Sequence, residues 1–200
     1  MKDNIKINWT PPEPRSGMKG AWDKFFGPTQ TASEFWLGII PSVIAAIAVP
    51  AYAIHKELGW SLWQLLIAAF FAFDLTGGVI FNAASSAKLW YHRSGQGFKQ
   101  LFGFTTLHIH PLFIAWLWLA GDWGYFFITY GFLLLAVLLI LKAPLYLQRP
   151  VAMTLYLAGL IIGLYFLAPI KGLEWFLPFF YLKLLISHPL REAPFQAGEN

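Results

Sequence analysis

The chain has 200 residues, of which 58% are hydrophobic and only 12% are charged, with a formal net charge of +4. Soluble domains carry about twice this fraction of charged residues, so the composition excludes an ordinary soluble protein. The lack of cysteine excludes disulfides, thiolate metal sites, iron–sulfur clusters and a cysteine nucleophile.

Residues 1–34 are polar and predict an N-terminal tail outside the membrane core. Pro11, Pro12 and Pro14 exclude a regular helix there, because proline lacks a backbone donor and clashes with the preceding helical turn. Residues 21–26, AWDKFF, are typical of an interfacial segment with its aromatic rings in lipid and Lys24 toward the phosphates. A solvated tail without fixed structure is the alternative.

Six apolar segments follow the tail, and each is close to the roughly 20 residues that a helix needs to cross a bilayer. We place them at residues 35–54, 60–84, 104–120, 123–141, 150–168 and 173–188. Their apolar runs are continuous rather than alternating, which favours helices over membrane strands. The sequence therefore predicts an all-α polytopic membrane bundle of about six transmembrane helices within residues 35–190, followed by a short tail at 191–200.

The basic residues predict how this bundle is oriented. Most lysines and arginines fall in the two tails and in the second and fourth connections, whereas the opposite connections contain only Lys56 and Lys171. By the positive-inside rule, both termini and the connection at residues 82–104 lie in the cytoplasm. We expect a bacterial cytoplasmic membrane as the location.

A stripe of polar residues follows the second apolar segment. If its helix continues beyond the membrane, one face carries residues spaced three or four apart: Asp74, Gly78, Asn82, Ser85, Lys88 and His92. Asp74 and Lys183 lie at similar depths in their segments, which predicts a buried ion pair; Lys183 reaching the surface unpaired is the alternative. Asp74 is then a candidate acid or base, and a purely structural link between two helices is the competing interpretation.

Four of the five histidines are predicted on the cytoplasmic side: His92, His108, His110 and His188. Imidazole is both a common ligand of Zn or Fe and an acid–base group near neutral pH. If residues 107–110 are extended and the third helix begins near Pro111, His108 and His110 point the same way and, with His188, form a metal site. Helix-end stabilisation explains His188 equally well, and an interfacial anchor explains His92.

Together these features predict a membrane-embedded enzyme that acts on a lipid or isoprenoid-like amphiphile from the cytoplasmic side. Acid–base or metal-assisted chemistry is assigned to Asp74, His92, His108 and His110. Substrate contacts are assigned to Asn82, Ser85, Lys88, Arg93 and Lys183. The expected cofactor is a divalent metal, Zn or Fe, with haem less favoured. Membrane lipids and a lipid-soluble substrate are the expected partners, and the pattern of basic residues argues against nucleic acid.

Two other functions fit the same residues. A small proton-linked transporter or channel would use the Asp74–Lys183 pair as a gate, although the lack of a visible internal repeat counts against it. A haem- or metal-binding membrane protein would use two of the histidines as ligands.

Overall fold

The computed structural model describes residues 8–195, and every regular element in that range is helical. In chain order the helices are α1 (Gly17–Phe26), α2 (Ala32–His55), α3 (Leu62–Ala83), α4 (Ser85–Tyr91), α5 (Phe98–Thr106), α6 (His110–Trp118), α7 (Trp123–Lys142), α8 (Leu145–Tyr165) and α9 (Phe176–Tyr181). The last helix continues as a π-helical segment, Leu182–Ser187. The predicted all-α class is confirmed.

Five helices in the described range are long and apolar enough to cross a membrane. They are α2, α3, the combined α5–α6 unit Phe98–Trp118, α7 and α8. The sixth predicted segment, 173–188, forms only the shorter apolar helix Phe176–Ser187, because residues 166–175 form turns and irregular chain instead. The protein is thus an integral membrane protein with a helical bundle, and its last helix is shorter than the sequence suggested.

The chain breaks at Ala84, so the condition for a single polar stripe from Asp74 to His92, a helix that continues beyond residue 84, is not met. Ala84 has an extended backbone (φ −67°, ψ 146°) that ends α3 and starts α4. The new helix start is stabilised by Glu34 of α2, whose carboxylate accepts a hydrogen bond from the backbone N–H of Ser86 at 3.1 Å. The polar stripe is consequently divided, and Ser85, Lys88 and His92 point in directions set by α4 rather than α3.

The N-terminal segment folds back onto the bundle. Residues 8–15 are non-helical, as the prolines predict, and α1 then packs against α4. Arg15 and Asp23 pair at 2.5 Å across α1, and the Arg15 hydrogen bond lowers the pKa of Asp23 to about 2. Near the other end of the chain, the guanidinium of Arg191 lies 4.1 Å from the ring centre of Trp9. Both terminal segments therefore meet at one end of the bundle, which we call the terminal end.

Apolar side chains from α3, α6, α7 and the last helix fill the core. Leu75, Ile114, Leu133 and Leu184 are fully buried there. Large apolar side chains on α2 and α8 remain exposed, as lipid-facing positions in a membrane bundle must. The π-helical segment brings Lys183 from the last helix into contact with α3, and this contact creates the candidate site.

Candidate functional site

An ion pair inside the bundle forms the centre of the candidate site. Lys183 Nζ lies 2.6 Å from Asp74 Oδ2, which confirms the predicted pairing. His110 Nε2 lies 3.0 Å from the same oxygen. Because both contacts use Oδ2, Asp74 Oδ1 has no hydrogen-bond partner among residues 8–195. The carboxylate is thus held by one oxygen and free to accept a proton or hydrogen bond at the other.

Gly78 makes this pairing possible. It lies one helical turn after Asp74, and a Cβ at position 78 would come within 2.3 Å of Lys183 Cε. The lysine therefore passes across the bare backbone of α3 to reach the carboxylate. The π-helical hydrogen bond from His188 N–H to Lys183 O, five residues back, marks the widened helix at this point.

His108 and His110 come from the junction between α5 and α6. Their rings stack at 5.5 Å with an angle of 9° between the planes. Helix α6 begins at His110 beside Pro111, which meets one condition for the HxH metal site, but the other condition, an extended backbone, is not met, because Leu107 (ψ −14°) and Ile109 (ψ 21°) form turns. His108 Nδ1 donates to the Phe104 carbonyl at 2.8 Å, which leaves Nε2 as the acceptor of a neutral ring.

A cavity of about 280 Å³ lies beside the ion pair. Its polar lining consists of Asp74, Asn82, His108 and Lys183, whereas His110 is not in the lining. Aromatic side chains form much of the remaining wall: Phe25, Phe26, Phe73, Phe81, Tyr91 and Phe104. Phe25 is 65% exposed and Phe73 is 38% exposed on the outer surface of the bundle. The cavity therefore combines a charged interior with an apolar edge on the outer surface of the bundle.

The other two histidines form a separate contact nearer the terminal end. His92 Nε2 lies 3.2 Å from the backbone oxygen of His188, and burial lowers the pKa of His92 to about 4. Phe104 contacts both groups, with ring centres 3.9 Å from His188 and 4.6 Å from His108. The four histidines thus approach one another in two pairs, with an aromatic ring packed against both.

The predicted metal site has no support in the described part of the chain. No group of three or more His, Asp or Glu side chains among residues 8–195 has an arrangement that could hold a metal ion. His108 and His110 direct nitrogen atoms to Phe104 and Asp74, respectively. His188 has both ring nitrogens buried without a hydrogen-bond partner, and its ring stacks on Phe104.

The predicted substrate-binding residues occupy different places. Asn82 and Lys183 line the cavity, whereas Ser85 begins α4 outside it. Lys88 is buried, and its ammonium group donates to the carbonyls of Ser187 at 2.6 Å and Leu190 at 2.7 Å. Burial lowers the pKa of Lys88 to about 8, and Glu192 opposes that shift. Arg93 lies in a separate cleft at the terminal end.

Sequence reasoning missed the contribution of aromatic side chains to the cavity wall. Phe25 and Phe26 come from α1, which the sequence placed only at the interface. Phe104 comes from the turn before the histidines, and its apolar character gave no sign of a special position. The spacing of Met18, Trp22 and Phe25 was a usable signal, since it places three apolar residues on one helical face.

Comparison of the chain with protein-family models, with curated proteins and with solved structures found no match. The geometry of the site is therefore the basis for the function proposed below.

Proposed function

We propose that the protein is a membrane-embedded enzyme that performs acid–base chemistry on an amphiphilic, lipid-like substrate. The observation that carries this proposal is the cavity itself, which joins Asp74, His108 and Lys183 to an apolar edge on the outer surface of the bundle. A water-soluble substrate would gain little from such an edge. An amphiphile would place its apolar part against the phenylalanines and its reacting group beside the carboxylate.

The free oxygen of Asp74 is the proposed base. Oδ1 removes a proton from the substrate, while Lys183 stabilises the negative charge that develops close to its ammonium group. His108 lines the same cavity and accepts a hydrogen bond from the substrate through Nε2, and Asp74 Oδ1 returns the abstracted proton to a second atom of the substrate, so that the carboxylate ends the reaction in its starting state. His110 holds Oδ2 and fixes the carboxylate orientation, which makes it a positioning residue.

The proposal does not include the predicted catalytic role of His92. His92 is not in the cavity lining, and its ring contacts the backbone of His188 instead. We therefore assign it to the support of the last helix. Asn82 remains a candidate for orienting the substrate, because its side chain lies in the same lining as Asp74.

The test uses the purified protein, a total lipid extract and deuterated water. Wild-type protein should change the mass or the deuterium content of particular lipid species, and Asp74→Asn should abolish that change. Asp122→Asn is the matched control, because Asp122 caps α7 through Gly124 and is exposed at the other end of the bundle. If wild type and Asp74→Asn give identical lipid profiles, the proposal is rejected.

The same ion pair supports a second candidate, a proton-linked transporter. A charged pair between two membrane helices, with a histidine on the same oxygen, is a common arrangement in proton pathways. Proteoliposomes loaded with a pH-sensitive dye would show proton flux in wild type that Asp74→Asn abolishes. Flux without lipid turnover would favour this function over the enzyme.

A further inference from the structure

A second space, distinct from the Asp74 cavity, lies at the terminal end. It is an open cleft of about 770 Å³ between the proline-containing segment at residues 9–14, helix α1, and the end of α4. This volume is within the range of small-molecule sites, roughly 300–1,000 Å³. The acid–base chemistry proposed above uses none of the residues unique to this cleft.

The cleft carries more positive than negative charge. Its lining includes the cations Lys24 and Arg93, and Glu13 is its single carboxylate. Arg93 packs its guanidinium 3.4 Å from the centre of the Trp90 ring and donates to the Trp90 carbonyl through one nitrogen. This packing fixes the guanidinium plane while other N–H groups remain for a ligand.

The cleft and the Asp74 cavity adjoin each other at the last turn of α1 and at Tyr91. Lys24 lines the cleft, the next residue, Phe25, lines the cavity, and Tyr91 lines both. Two hydrogen bonds hold this turn to α4: Trp90 Nε1 to the Lys24 carbonyl at 2.8 Å, and Tyr91 OH to the Phe25 carbonyl at 2.6 Å. A ligand with a polar end in the cleft would therefore lie next to the apolar wall of the cavity.

We infer that this cleft binds a phosphate-bearing group through Arg93 and Lys24. The inference rests on the proposed function and extends it, because the phosphate would belong either to the amphiphilic substrate or to a soluble co-substrate. Arginine matches phosphate with its planar fork of donors, and lysine adds a point charge. Tryptophan and tyrosine are enriched at the depth of lipid headgroups, where phosphates of membrane lipids lie.

The wall opposite α4 contains three prolines and one cation–π contact, both of which restrict its conformation. Pro11, Pro12 and Pro14 restrict the backbone of this segment, and Trp9 is held by Arg191. A site that needs little ordering on binding loses less affinity to entropy. The segment at residues 9–14 therefore serves as a conformationally restricted wall of the proposed site.

Native mass spectrometry of the purified protein in a neutral detergent tests this inference. Phosphatidic acid and diacylglycerol with identical acyl chains, which differ only in the phosphate, form one pair of probes, and glycerol 3-phosphate is the soluble probe. We expect phosphatidic acid or glycerol 3-phosphate to bind to wild type, and the Lys24→Gln/Arg93→Gln variant to bind about tenfold more weakly. If the double variant loses binding of phosphatidic acid alone, the cleft is a lipid-headgroup site. If it loses binding of both phosphatidic acid and glycerol 3-phosphate, the cleft also accepts soluble phosphates.

The matched control is Lys19→Gln/Lys99→Gln, which removes the same charge from exposed positions outside the cleft lining. Equal losses in the two double variants would overturn the inference, and so would a wild type that binds no glycerol 3-phosphate and does not distinguish between the two lipids. Arg93→Lys and Lys24→Gln, made singly, provide the comparison if the double variant fails to fold. Asp74→Asn should retain phosphate binding, so failure of the proposed enzyme and failure of this site give different results.

Discussion

Lys183 and His110 both contact Oδ2 of Asp74. The loss of either contact should therefore lower the free energy of unfolding. Lys183→Met would leave the carboxylate with only His110 as a partner. We expect the free energy of unfolding in detergent to fall by roughly 2 kcal/mol. This is less than the destabilisation expected for an unpaired charge that is fully buried, because the Asp74 side chain is 31% exposed. Adding Asp74→Asn should recover most of this loss, and an equal loss in single and double variants would contradict a direct pairing.

The Asp74–Lys183 ion pair also depends on the absence of a side chain at Gly78. Gly78→Ala would place a methyl group 2.4 Å from Lys183 Cδ and force the side chain to move. We expect lipid turnover to be lost, with a fall in stability of about 1–2 kcal/mol. The control is Gly131→Ala in α7, where a Cβ meets nothing within 4 Å. Full activity in Gly78→Ala would show that Lys183 need not contact the carboxylate.

The buried imidazole of His92 should make the fold sensitive to mild acid. Its pKa is about 4 in the folded protein, against 6.5 for an ordinary histidine, with burial as the main cause and Lys88 as the next. Between these pH values the unfolded chain holds more protons, so stability falls as the pH decreases from 6.5 to 4, by up to about 3 kcal/mol from this group. His92→Gln should reduce the pH dependence of unfolding, and an unchanged pH dependence in this variant would contradict the role of His92.

At the scale of elements, Lys88 connects α4 to the end of the last helix. Lys88→Met would leave the carbonyls of Ser187 and Leu190 without this donor. We expect the C-terminal segment to open more easily, by about 1–2 kcal/mol, because unpaired buried carbonyls are costly. Limited trypsin cleavage after Arg191, followed by mass spectrometry, should be roughly tenfold faster than in wild type. Lys99→Met is the control, and unchanged cleavage in Lys88→Met would show that other contacts hold the segment.

The sequence was informative about helices and about charges, and less so about breaks between helices. The scarcity of charge in apolar segments was enough to pair Asp74 with Lys183, since neither had another partner of opposite sign nearby. The second apolar segment was predicted to end at residue 84, close to the observed end of α3 at Ala83. The separate start of α4 could not be predicted, because Glu34, which accepts a hydrogen bond from Ser86, is 52 residues away in the sequence. The contact between His188 and Phe104 was unpredictable for the same reason, since it is made only after the helices pack.

At the scale of the whole molecule, the remaining prediction is orientation in the membrane. The chain has no cysteine, so a single introduced cysteine is the only thiol that a maleimide can label. We expect a membrane-impermeant maleimide added to intact cells to label Lys171→Cys but not Lys99→Cys, which should react only after permeabilisation. Both positions are exposed. The reverse labelling would place the terminal end, with its cleft, outside the cell.

The π-helical segment Leu182–Ser187 gives the last helix one more residue per turn than an α-helix has. Lys183 at its start must meet α3, and the carbonyl of Ser187 near its end must meet Lys88 of α4. A one-residue deletion between these two anchors would rotate one of them by about 100° relative to the other. Residue count in this stretch is therefore constrained more strongly than residue identity: its leucines can be exchanged for other apolar side chains, but the spacing cannot be shortened.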